Sequence, residues 1–191
     1  SDKFRFFIST NGTTSDSFNS NLAYTTNEWY HLAAIWDGSN IKLYINGSLD
    51  TTQAVSNATG TLSDNSNPLR IGNNGGSGYL NGVVSNTAIY NQAISAEDVK
   101  YLYNGGTPQT SLSFEPLSWW KLDNLTTGIQ DSGSASNNGT NNGATAVSSS
   151  VAVDQWNFDN VSQAQTPNWS SALDFDGTND YINIPYNANI T

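Results

Sequence analysis

The chain has 191 residues, enough for one ordinary domain or two small ones with a real core. Its net charge is -10, with six scattered cations, which excludes the electrostatic footprint of a nucleic-acid or anionic-lipid binder. No apolar run approaches the roughly 18 residues of a membrane helix, and the absence of Cys excludes disulfides, zinc fingers and thiol nucleophiles.

Residues 4 to 9 alternate, with Phe4, Phe6 and Ile8 on one face and Arg5, Phe7 and Ser9 on the other. The run stops at the turn dipeptide Asn11-Gly12 and a polar stretch follows to about Asn27. The strongest pattern is EWYHLAAIWDGSNIKLYINGSLD. Trp29 to Trp36 reads as a strand, Asp37 to Asn40 as a turn, and Ile41, Leu43 and Ile45 as the apolar face of a second strand. Asn46-Gly47 turns the chain again. Short strands recur in LRIG and in YLNGVVSNTAIYN.

One helix is predicted, over 95–104. Ser95 caps it, Asp98 closes an acidic variant of the capping box, Val99 and Leu102 share a stripe, and Asn104-Gly105-Gly106 ends it. Residues 107–117 hold two prolines and read as a linker. SWWKLDN restarts the strand pattern and the loop DSGSASNNGTNNG follows. ATAVSSSVAVDQ reads as β or extended, and QWNFDNVSQAQTPNWSS as a polar loop studded with aromatics. ALDFDGTNDYINIP reads as strand, tight turn, strand. Many short strands, polar turns and one helix define an all-β, antiparallel β-sandwich.

Three segments together resemble the laminin-G-like, concanavalin A-like jelly rolls, in the bacterial and viral branch related to pentraxins. The EWYHL…INGSLD hairpin is similar to that family's central hairpin, and GYLNGVVSNTAIYNQAISAEDVKYLYNGG to its last inner strand and closing helix. SWWKLDN…DSGSASNNGTNNG…ALDFDGTNDYINIP is similar to its N-terminal half. The halves stand in permuted order: 1–106 is the closing half and 118–191 the opening half. The chain is then either one permuted sandwich or the junction of two tandem domains. The second arrangement leaves open edges, expected at Phe4–Ile8 or Tyr181–Ile184, that a copy of the chain could complete.

Oxygen ligands for calcium cluster in two loops: Asp131, Ser132, Asn137 and Asn138, then Asp174, Asp176, Asn179 and Asp180. The resemblance implies a structural Ca2+ at Asp131 and Asn138, with Asp176 and Asp180 as partners. Asx turns and hairpin caps are the competing reading of the same residues. Sugars stack on loop aromatics, which singles out Trp156, Trp169, Tyr181 and Tyr79, with Tyr186 beside them; Trp156 stands out in its polar surroundings. Trp29, Trp36 and one of Trp119 and Trp120 belong in the core. A glycosidase needs two positioned carboxylates. The chain has only Glu28, Glu97 and Glu115, none with an acidic neighbour at strand spacing, although Asp174 and Asp176 share a strand face. His31 lies within a strand pattern with no nucleophile beside it.

The expected function is a non-catalytic module binding glycans or a glycoprotein surface, calcium-stabilised, without nucleic acid or membrane insertion. A surface poor in lysine and rich in Asn, Thr and Gly suits an extracellular, cell-surface or virion-surface location. The alternative from another class is a structural repeat of a fibre or coat, assembled from copies of itself.

Overall fold

A computed structural model describes residues 2–57, 66–107, 109–147 and 172–188. Its elements run β1 (Lys3–Ile8), β2 (Asp16–Ala23), β3 (Leu32–Trp36), β4 (Asn40–Ile45), β5 (Ser48–Ala54), β6 (Leu69–Ile71), β7 (Asn81–Val84) and β8 (Thr87–Ile89). Helix α1 (Ala96–Tyr103) follows, then β9 (Ser118–Trp120), β10 (Thr140–Asn142), β11 (Thr145–Val147), β12 (Ala172–Asp176) and β13 (Tyr181–Ile184). Every described ladder is antiparallel, and the fold is of the jelly-roll β-sandwich class. Two compact units divide the chain: Ser1–Asn65 with Gln92–Gln109, and Ser66–Asn91 with Thr110–Ile190.

The first unit holds the β1-β2 hairpin, the β3-β4-β5 meander and α1. β3 and β4 meet from Leu32↔Ile45 to Trp36↔Ile41. Their turn is set by Asp37, whose Oδ1 accepts the amides of Ser39 (3.1 Å) and Asn40 (2.8 Å). Those two amides, with Lys42 at 3.3 Å, hold the Asp37 carboxyl below its usual range. Asn46 and Gly47 both have positive φ, 50° and 75°, which is the two-residue hairpin turn that the right-handed strand twist favours. β3 begins at Leu32 rather than at Trp29. His31 just before it gives its amide to the Asn46 side chain instead of to a ladder.

β2 lies inside the stretch that reads as polar loop. Its sequence DSFNSNLA offers only Phe18, Leu22 and Ala23 to an apolar count, and its one fully buried side chain is Ser20. Ser20 Oγ accepts the Phe4 amide (3.1 Å) and donates to Leu22 O (2.6 Å). Asp50 on β5 accepts the amides of Asn21 (2.6 Å) and Leu22 (2.9 Å), joining the hairpin to the meander. Ile8, Ile41 and Leu43 form one core cluster with Phe6, Phe18, Trp36 and Val55 against it. Ile35, Tyr44 and Val99 form another, which seats α1. The capping box is present as expected, with Asp98 N–H donating to Ser95 Oγ (3.1 Å) and Ser95 N–H to Asp98 Oδ2 (2.9 Å). Asn104 ends the helix in the left-handed region.

The second unit contains the sheets β10-β13-β6 and β11-β12-β7 and the pair β8-β9. Its strands come from both sides of residues 107–117. The core is Ile71, Trp120, Leu122, Ile129, Ala144, Leu173, Phe175, Ile182 and Ile184. Trp119 and Trp120 are both buried, since each indole finds an acceptor: Asn86 Oδ1 for Trp119 (3.0 Å) and Asn137 O for Trp120 (2.9 Å). β13, expected to be an open edge, is the middle strand of its sheet, and β1 is paired with β2.

Among the described residues no helix is long and apolar enough to cross a membrane. His31 carries a pH prediction. Its ring lies 5.9 Å from that of Tyr103, its Nδ1 is buried without a partner, and burial lowers its pKa from 6.5. The unfolded chain therefore binds this proton more readily than the folded one. The stability His31 contributes is complete above about pH 6.5 and is lost as pH falls below it. Urea midpoints should be flat from pH 8 to 7 and decline from about 6.5 towards 5, and His31→Phe should flatten that decline.

Candidate functional site

Alternation on β13 builds a polar face over the second core. Ile182 and Ile184 are fully buried, so Tyr181 and Asn183 point the other way and stay half-exposed. The ladders extend this row sideways. Thr140 lies opposite Asn183 and Asn142 opposite Tyr181 on β10, while Arg70 lies opposite Asn183 on β6. Side chains directly opposite on a ladder share a face. Five neighbours therefore present a hydroxyl, two amides, a phenol and a guanidinium.

The guanidinium of Arg70 is held from two directions. Its Cζ stands 5.3 Å from the centroid of the Tyr181 ring, and its Nη1 donates to Asn73 Oδ1 (3.1 Å). Asn73 organises the loop that follows: its Nδ2 donates to Gly76 O (3.0 Å) and Gly78 O (3.1 Å), and its Oδ1 accepts the Gly75 amide (2.7 Å). Gly75 has φ +84°, a conformation that favours glycine. The loop returns through a bridge between Asn73 and Tyr79. Tyr79 and Tyr181 are thus connected through Arg70 and Asn73. Neither Arg70 nor Asn73 stands out in the sequence as a site residue. The polar alternation of YINI marks the face, but the register that sets Arg70 beside it joins strands more than a hundred residues apart. Trp156 and Trp169 lie outside the described residues.

The four calcium candidates fall into two separate pairs. Asp131 forms a cup that its own loop fills. Its Oδ1 accepts the amides of Trp119 and Gly133 (both 2.8 Å), and its Oδ2 the amide of Asn137 (2.8 Å). Asn138 Oδ1 accepts the Asp131 amide (2.9 Å). Asn137 ties this cup to Pro185 O (2.9 Å), at one end of β13. Asp180 stands at the other end, where its Oδ2 accepts the Asp176 amide (3.0 Å), while Asp176 Oδ1 accepts the Thr178 amide (2.8 Å). Residues 180 and 185 are five strand steps apart, about 16 Å. The two pairs do not fit one ion, and among the described residues no three His, Asp or Glu side chains are grouped to hold a metal. The carboxylates act here as turn and hairpin caps.

Compared with known families, residues 1–100 match the laminin-G type of the concanavalin A-like lectin/glucanases superfamily. The chain belongs to this family. No curated protein and no solved structure matches.

Proposed function

We propose that the chain is a non-catalytic carbohydrate-binding module acting outside the cell or on a virion surface, and that it binds its glycan on the face formed by Arg70, Thr140, Asn142, Tyr181 and Asn183. The observation that carries this reading is the face itself. Hydroxyl, amide and guanidinium groups converge around one half-exposed ring, on a sheet whose other side is core. Such groups hydrogen-bond sugar hydroxyls while rings take up their CH faces. The superfamily match supports carbohydrate binding as the class. Two of the three glutamates support a non-catalytic role: Glu28 accepts the Tyr30 hydroxyl (2.8 Å) and Glu97 sits in the first turn of α1. Within the second unit, the pairings β6-β13, β7-β12 and β8-β9 join strands of the 1–106 half to strands of the 118–191 half, which supports the permuted-order reading.

A glycan array tests the proposal. The wild type should bind a defined set of glycans, and Tyr181→Ala should lower binding to that set at least tenfold with the thermal transition retained. Tyr181→Phe should keep most of it. An array that the wild type leaves blank, or a Tyr181→Ala protein that binds as well as the wild type, would reject this face as the site.

A further inference from the structure

We propose that this face selects saccharides that bear a carboxylate, a refinement that rests on the glycan reading above. The observation behind it is how the chain treats its arginines. There are two, Arg5 and Arg70, in a sequence with 16 acidic residues against 6 basic ones. With acids in such excess an arginine readily finds an ion-pair partner, as Lys42 does with Asp37 at 3.3 Å. Among the described residues neither arginine has a carboxylate within ion-pair distance. Both are placed in one way instead. Arg5 stands 4.5 Å from the Phe7 ring centroid, donates to the neutral Ser17 Oγ (3.0 Å), and lies opposite Asn19 on its ladder. Arg70 stands 5.3 Å from the Tyr181 ring centroid, donates to the neutral Asn73 Oδ1 (3.1 Å), and lies opposite Asn183.

A guanidinium has five N–H donors in a planar fork that matches a carboxylate with two parallel bonds. At Arg70 the ring and Asn73 fix the fork with one bond to a neutral acceptor, so among the described residues its charge is oriented and has no carboxylate partner. A neutral sugar would use that group only as a hydrogen-bond donor. A uronate or sialate would use its charge and its shape, with the ring hydroxyls left to Asn142, Asn183 and Thr140. The net charge of -10 opposes any anion at long range. The selectivity is therefore a contact effect, read best near 0.15 M salt, where the Debye length is about 8 Å.

The experiment is an array of uronate- and sialate-bearing oligosaccharides, each beside its own methyl ester, which keeps every hydroxyl and removes the charge. The wild type should favour the free acids at least tenfold. Arg70→Gln should bring acid and ester to equality while Arg70→Lys retains a weaker preference, with thermal transitions matched throughout. Esters bound as tightly as acids would overturn the charge selection and leave the glycan reading standing. Loss of the preference in Arg5→Gln and not in Arg70→Gln would overturn its assignment to this face. Silence on acids, esters and neutral glycans alike would overturn both readings.

Discussion

Replacing Asp131 with alanine should lower the stability of the second unit by about 3 kcal/mol or more, although the residue is only half-buried. The carboxylate accepts three backbone amides, from Trp119 on β9 and from Gly133 and Asn137 in its own loop. Removing it leaves three donors at once, each costing about 1 kcal/mol or more where water does not reach it. The effect spreads because the neighbouring bonds depend on the same loop path. Trp120 Nε1 donates to Asn137 O, and Ser132 N–H donates to Trp119 O (2.8 Å). Asp131→Asn keeps one carbonyl oxygen and puts an NH2 against the amide that faced the other, so its loss should fall between wild type and alanine. Urea unfolding followed by tryptophan fluorescence is the measurement. Equal midpoints for Asp131→Ala and the wild type would show that the loop holds its shape without the carboxylate.

Phe175→Ala should cost about 4 kcal/mol, the upper part of the range for a buried phenylalanine. Phe175 is fully buried on the central strand of its sheet, opposite Gly82 on β7. Its ring fills the space above Gly72, where a Cβ would overlap the ring carbons. Gly72 has no side chain of its own to move into the cavity that the alanine leaves. Phe175→Leu leaves less empty volume and should cost about 1 kcal/mol. The same denaturation series separates the two, and comparable midpoints for alanine and leucine would mean that the surrounding isoleucines collapse into the gap.

Local signals and long-range ones were legible to different degrees. The β3-β4 hairpin, the Asn46-Gly47 turn and the Ser95–Asp98 capping box each rest on residues within a few positions of one another, and all three are present. β2 and β5 were hidden because their inward positions are polar: Ser20 is buried through its hydrogen bonds, and Asp50 serves as a brace. At the site, Tyr79 and Tyr181 were legible as aromatics in polar surroundings. Arg70 and Asn73 were not, since only the β6-β13 register brings Arg70 to the Tyr181 ring. The acidic loops were legible in composition and not in chain path, for a related reason. Asp131 and Asp176 have the composition of a cation site, and only the chain path shows that the charges face backbone amides.

The pairing of β6 with β13 also sets a timetable. Ile71 waits for Ile182 and Gly82 for Phe175, so β6 and β7 have no partner until about a hundred further residues are made. At ordinary rates of synthesis that interval is roughly 5 to 20 s. Meanwhile β3, β4 and β5 need only neighbours already present. Newborn chains should therefore show a protected meander while β6 and β7 remain open to proteases and chaperones. Chains released before Ala172 would keep those strands exposed for good, the condition in which unpaired edges aggregate.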